Sequence, residues 1–310
     1  MLQKKESEKP KVIEKLFERY EAGEIPEGII TSADVVHAIK ATGAELGSAN
    51  PANFLKDIVR SENANAIWPS SLKTKRITAR QRYGAKRVLQ FVTYAEGQEE
   101  PFPDRFRPKK ETPDYSVQSA SMSFLARRLG RKEETWLTQI VVNLRIVETQ
   151  LSIFSPLRER VRDVTHLQMG MKTQPEIDAV YVASFGEDAK LKSLTNLHIL
   201  ISCEAKQLNQ RILEDQIREQ VAKAMDITKA IEAPRIDAVK PIAIAVVKHE
   251  FDSGSEKAIY VVEFRQIERA MFESDWRPAS ESDERLYSMP LDAVSEILYR
   301  VAPPIGGLNA

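Results

Sequence analysis

Three charged side chains near the middle of the chain have the types and spacing for metal-assisted chemistry. Asp178, Glu204 and Lys206 fall within the thirty-two residues from Pro175 to Lys206, which read PEIDAVYV, then a polar excursion ASFGEDAKLKSLTN, then LHILISCEAK. Two apolar runs of strand length flank a loop with Gly, Asp and Ser, so they are expected as neighbouring strands. Residues i and i+2 of a strand share a face, so Glu204 and Lys206 emerge side by side, and pairing of the strands would bring Asp178 to the same end. The carboxylates are suited to a hard cation such as Mg²⁺, which keeps several of its waters. A neighbouring ammonium would stabilise a hydroxide nucleophile or the charge growing on a phosphate. An E-x-K triplet at a strand end is also an ordinary solvated edge. Here, however, it ends an apolar run (Leu197, Ile199, Leu200, Ile201), where charge is costly unless it serves something. Glu176 shares a face with Asp178 and is a supporting acid or, failing Asp178, the ligand.

The pattern P-E-I-D, twenty-five residues, E-A-K resembles the PD-(D/E)xK signature of metal-dependent nucleases, which include many restriction endonucleases. The stretch covers about a tenth of the chain, and the motif is short. The resemblance implies that Asp178 and Glu204 hold Mg²⁺, that Lys206 orients and activates water, and that the substrate is double-stranded DNA. It also implies a mixed sheet flanked by helices. In that family a helix before the first catalytic strand often lends another acid, and Glu148 and Glu159 are the candidates here. After Lys206, a helix is expected over residues 207–231, packing through Ile212, Ile217, Val221 and Met225. Gln207 and Gln216 on it are available to orient catalytic groups or contact DNA, as well as to serve as a plain exposed face.

Composition narrows the setting. A chain of 310 residues with 42% apolar and 29% charged residues has enough apolar material for two cores. The one cysteine, Cys203, rules out an internal disulfide framework and fits a reducing cytoplasm. Four scattered histidines make no zinc spacing. The opening MLQKKESEKPK is polar, so no signal peptide is expected, and no run approaches a membrane span. Net charge is zero but unevenly spread. Residues 1–110 carry 20 Lys/Arg against 15 Asp/Glu, and the remainder carries 25 against 30. Residues 56–87 hold nine cations and only Asp57 and Glu62, a local basic stretch of the kind that meets nucleic acid.

The elements that would position these groups divide into α/β (α+β) halves. Helices are expected over 11–21, from an N-cap at Ser32 to Gly43, and from Asn50 and Pro51 through Ser61. A basic hairpin should follow, with arms 73–78 and 88–94. Helix, helix and basic hairpin resemble a winged-helix DNA-binding domain over residues 1–96. The third helix would then offer Asn53, Lys56 and Arg60 to the major groove, and the wing would offer Lys73, Lys75, Arg76, Arg80 and Arg82 to phosphates. Residues 97–118, with four prolines, read as a linker. Residues 119–310 would form the nuclease domain, with one long helix over 134–154, buried strands in PIAIAVVKHEF and KAIYVVEFRQI, and a final helix in LDAVSEILYRV. The expected activity is that of a type II restriction endonuclease acting as a homodimer, since cutting both strands takes two sites. The alternatives are a partner-dependent defence or repair nuclease, and a winged-helix regulator that binds DNA without cutting.

Overall fold

The structure is a computed structural model, and it describes residues 7–47, 58–82, 86–186, 197–231, 235–280 and 283–309. The chain forms two compact units, Met1–Arg105 and Phe106–Ala310. No helix among the described residues is long and apolar enough to cross a membrane.

In the first unit, α1 (Lys9–Glu21) starts with Pro10 in its first turn and buries Val12, Ile13, Leu16 and Phe17. A short strand β1 (Ile29–Thr31) runs straight into α2 (Ser32–Thr42). The cap is Thr31 rather than Ser32. Thr31 still has extended backbone, its hydroxyl takes the Asp34 N–H at 3.3 Å, and the Asp34 carboxylate takes the Thr31 N–H at 3.0 Å. Two short helices, α3 (Ala64–Ile67) and α4 (Ser70–Thr74), lead to the hairpin β2 (Ile77–Gln81) and β3 (Arg87–Thr93). The three strands form an antiparallel sheet in the order β1-β3-β2. Trp68 closes the core edge-on against Phe91 and Phe102, and its indole N–H donates to the Ile77 carbonyl at 2.8 Å. Phe102 lies within the stretch expected to be a linker. It is buried because its ring completes this core, and Asn65 fixes its backbone through two hydrogen bonds.

The second unit is a mixed sheet covered by helices. It opens with β4 (Asp114–Gln118), also inside the expected linker, and α5 (Phe124–Leu129). In place of one helix over 134–154 there are α6 (Glu134–Asn143), a break with Arg145 in the left-handed region (φ 52°), and α7 (Ile146–Thr149) continued by a wide turn to Phe154. The remaining strands are β5 (Val161–Met171), β6 (Ile177–Phe185), β7 (Leu197–Lys206), β8 (Ala238–Phe251), β9 (Gly254–Phe264), the two-residue β10 (Ile267–Glu268) and β11 (Ala293–Ala302). Helix α8 (Glu214–Ile227) crosses from β7 to β8.

The sheet order is β4-β11-β9-β8-β7-β6-β5, with β10 paired to the start of β8. Pairs β7/β8 and β11/β4 are parallel and the others along this order are antiparallel. Residues 293–302 form a strand where a helix was expected. The apolar spacing there fits both periods, and in the sheet Ile297, Tyr299 and Val301 enter one core while Leu298 enters the other. Two-sided burial between β4 and β9 outweighs local helical preference. On one face α6 and α7 pack Leu137, Ile140, Val141 and Val147 onto Tyr181, Ile201 and Ile244. On the other, Val221, Ala224 and Met225 of α8 pack onto Val180, Leu200 and Val239.

Candidate active site

Strands β6 and β7 run antiparallel with Ala179 against Cys203, which sets Asp178 beside Glu204 at the next position outward. Along β7, Cys203 and Ala205 enter the α6–α7 core, so the alternate residues Glu204 and Lys206 face α8. Both are sunk almost completely, at 2% and 1% exposure, and they form a salt bridge through Lys206 Nζ and Glu204 Oε1. Helix α8 supplies the remaining partners from successive turns. Gln216 Oε1 accepts from Lys206 Nζ at 3.3 Å, and Gln220 Nε2 donates both to Glu204 Oε2 and to the Glu176 carbonyl at 2.7 Å. Four residues separate the two glutamines, which puts them on one helical face.

Asp178 is the more open of the two carboxylates, and its Oδ2 accepts the Ala205 N–H at 2.7 Å. Burial first, and then the charge of Glu204, push its carboxyl up to about 8, against the Ala205 hydrogen bond and the Lys206 charge. Glu134, in the first turn of α6, adds to the rise and so belongs to the electrostatic surroundings of the pair. Sequence reasoning missed Glu134 and Gln220, because nothing local ties either residue to the E-x-K triplet.

The other candidates lie elsewhere. Glu176 is exposed, and its carbonyl is the group that serves the site. Glu148, on α7, is half-buried on the side of Tyr181 and Cys203, both of which feel its charge, and its carboxyl is raised by burial. Glu159 is exposed in the turn Arg158–Arg160. Gln207 precedes α8 and donates to the Glu133 carbonyl at 2.7 Å.

In the first unit, Asn53 and Lys56 fall outside the described residues, and Arg60 is half-buried in a helical segment. Lys73 is on α4, and Lys75 pairs with Glu21. Arg76 donates to the Gln98 carbonyl at 2.8 Å and stacks over Tyr94. These three precede β2, at the end of the hairpin away from its turn. Arg80 is half-buried on β2, and Arg82 is buried at 7% exposure. The exposed cation at the described edge of the turn is Lys86.

The two carboxylates are of the type a hard cation takes, although both oxygens of Glu204 are already engaged, by Lys206 and Gln220. Two side-by-side carboxylates at a strand end offer oxygens only, and like charges so close are relieved by a proton or a cation. Among the described residues, no three acid, histidine or cysteine side chains form a metal-holding group. The chain matches no family model, no curated protein and no solved structure.

A second buried ion pair makes a useful contrast. Lys240 on β8 and Glu263 on β9 meet at 2.7 Å on the opposite face of the sheet. Ser155 and Gln150 donate to Glu263 at 2.6 and 3.1 Å, Tyr299 donates to Gln150 at 3.0 Å, and Lys240 also donates to the Phe264 carbonyl at 3.0 Å. Lys240 and Glu263 are closed off from solvent, whereas the Glu204–Lys206 pair has the half-open Asp178 at its edge.

Proposed function

We propose that this chain is a Mg²⁺-dependent DNA endonuclease, of the kind found among type II restriction enzymes, with its first unit serving as a winged-helix DNA-binding domain. The observation that carries the reading is the meeting of Asp178, Glu204 and Lys206 on the α8 face of one sheet end. Supporting it are an acid-bearing helix, α6, ahead of the catalytic strands and a helix, α8, after them, both parts that the nuclease resemblance implies. For the first unit the support is the order α1, β1, α2, hairpin, with all three strands in one antiparallel sheet.

In this reading Asp178 and Glu204 hold the cation. Bound Mg²⁺ would polarise the scissile phosphate and lower the pKa of a coordinated water. Lys206, fixed by Glu204 and Gln216, supplies positive charge where hydroxide attacks and negative charge accumulates. Gln220 holds Glu204 in place through its Oε2. Two copies acting about a two-fold axis would cut both strands of a duplex.

The test is incubation of the purified chain with mixed plasmid DNA in Mg²⁺, in Ca²⁺ and in EDTA, followed by gel analysis. Discrete fragments in Mg²⁺ alone are expected, and Asp178→Asn, which keeps the shape of the side chain, should abolish them. Intact DNA in Mg²⁺ would overturn the reading as it applies to the isolated chain. Retained DNA binding would then favour a regulator, and cutting restored by a cell extract would favour a partner-dependent nuclease.

A further inference from the structure

The three most exposed large apolar side chains among the described residues all stand on α5, a helix of six residues. Phe124 is 61%, Leu125 66% and Leu129 74% exposed. The helix is well anchored. Ser123 caps it by accepting the Ala126 N–H, the Arg127 carbonyl accepts the Gly306 N–H at 2.6 Å, and Trp136 donates to the Gly306 carbonyl at 2.9 Å. Contiguous exposed apolar surface on a fixed element marks a contact site.

The charge on the helix and on the connection up to Lys132 is positive. From Ser119 to Lys132 the sequence holds Arg127, Arg128, Arg131 and Lys132 and no acid. Arg128 lies over the Phe124 ring at 5.2 Å, and Arg131 is 81% exposed with Glu133 at 4.0 Å. The patch also adjoins the candidate site. Gln207, the residue after Lys206, is hydrogen-bonded to the Glu133 carbonyl, one residue beyond this basic run.

Resting on the nuclease reading of that site, we propose that α5 and the connection after it form a DNA-contacting surface beside Lys206. Arg128, Arg131 and Lys132 meet phosphates, while Phe124, Leu125 and Leu129 press against bases or sugars. A polyanion with apolar faces satisfies both halves of the patch. A second copy docked through the same face would set cations against cations, which opposes association. Apolar side chains used as wedges at base steps belong to the same physics.

The experiment measures binding of a labelled duplex by fluorescence anisotropy, in Ca²⁺ and across a salt series, with cleavage assayed separately in Mg²⁺. It compares wild type with Leu125→Ser/Leu129→Ser and with Arg128→Gln/Arg131→Gln/Lys132→Gln. All the substituted side chains are exposed, and circular-dichroism melts check that the variants fold. The charge variant should lower the salt slope by about two to three units. The apolar variant should bind on the order of tenfold more weakly at an unchanged slope. If both variants keep wild-type affinity and slope, the surface is not a DNA contact, and wild-type cutting in Mg²⁺ would leave the nuclease reading intact. If the variants lose binding but wild type never cuts, the surface stands and the nuclease reading fails. Unchanged DNA binding with an altered sedimentation mass, or with lost binding to anionic vesicles, would reassign the patch to self-association or to lipid.

Discussion

Asp178 keeps its proton in the folded chain up to about pH 8, whereas an unfolded aspartate releases it near 3.8. The folded state therefore binds more protons across that window. Its contribution to the stability of the cation-free chain is complete at the acid end and is lost as pH rises through about 8. Urea melts in EDTA should show this fall, and Asp178→Asn should flatten it. An identical slope in the variant would put the proton elsewhere. Added Mg²⁺ should oppose the fall, since its binding displaces the proton. Lys206 presents a different case. It is buried against Glu204, so Lys206→Ala leaves a buried carboxylate without its cation and should cost about 3–5 kcal/mol of stability, as well as all cleavage. Parallel unfolding and plasmid assays separate the two losses, and cutting at the wild-type rate would remove Lys206 from the chemistry.

Helix α8 acts as the frame of the site, because its two glutamines hold the partners that β7 presents. Gln220→Ala breaks bonds to Glu204 and to the Glu176 carbonyl and should cost about 1–3 kcal/mol. It should also raise the Mg²⁺ concentration needed for half-maximal cutting more than it lowers the maximal rate, and the reverse split would make Gln220 more than a positioning residue. The D…E-x-K grouping was legible in the sequence because its parts sit on adjacent strands whose alternation fixes their faces. Gln220 and Glu134 were not, since their relation to Glu204 and Asp178 exists only once α8 and α6 are docked on the sheet. The same holds for the broken helix at Arg145, where Gln150 and Ser155 answer to Glu263, more than a hundred residues away. Strand β11 was misread because a spacing that fits two periods is decided by its neighbours. The hairpin of the first unit was found, but its start lies at Ile77, which moves Lys73, Lys75 and Arg76 off the strands.

For the molecule as a whole, the expected DNA contacts of the first unit shift toward the hairpin turn. Lys86→Ala should lower the salt slope of binding by about one unit, and Lys75→Ala, which already has Glu21 as partner, should change it little. Equal effects from the two would return the contact to the Lys75 end. Among the described residues, the second unit holds one buried ion pair on each side of the same sheet. A strand that paired one residue out of step would turn Lys240 toward the apolar underside of α8, or Glu204 and Lys206 into the α6–α7 core. A slip of β8 strands Lys240 without Glu263, and a slip of β7 carries the Glu204–Lys206 pair away from Gln216 and Gln220, so both pairs penalise wrong registers. Replacing Lys240 and Glu263 together by Met and Leu should therefore raise thermal stability while costing the chain its fidelity. The double variant would refold to a mixture, visible as doubled amide signals or an aggregated fraction, where wild type returns to a single form.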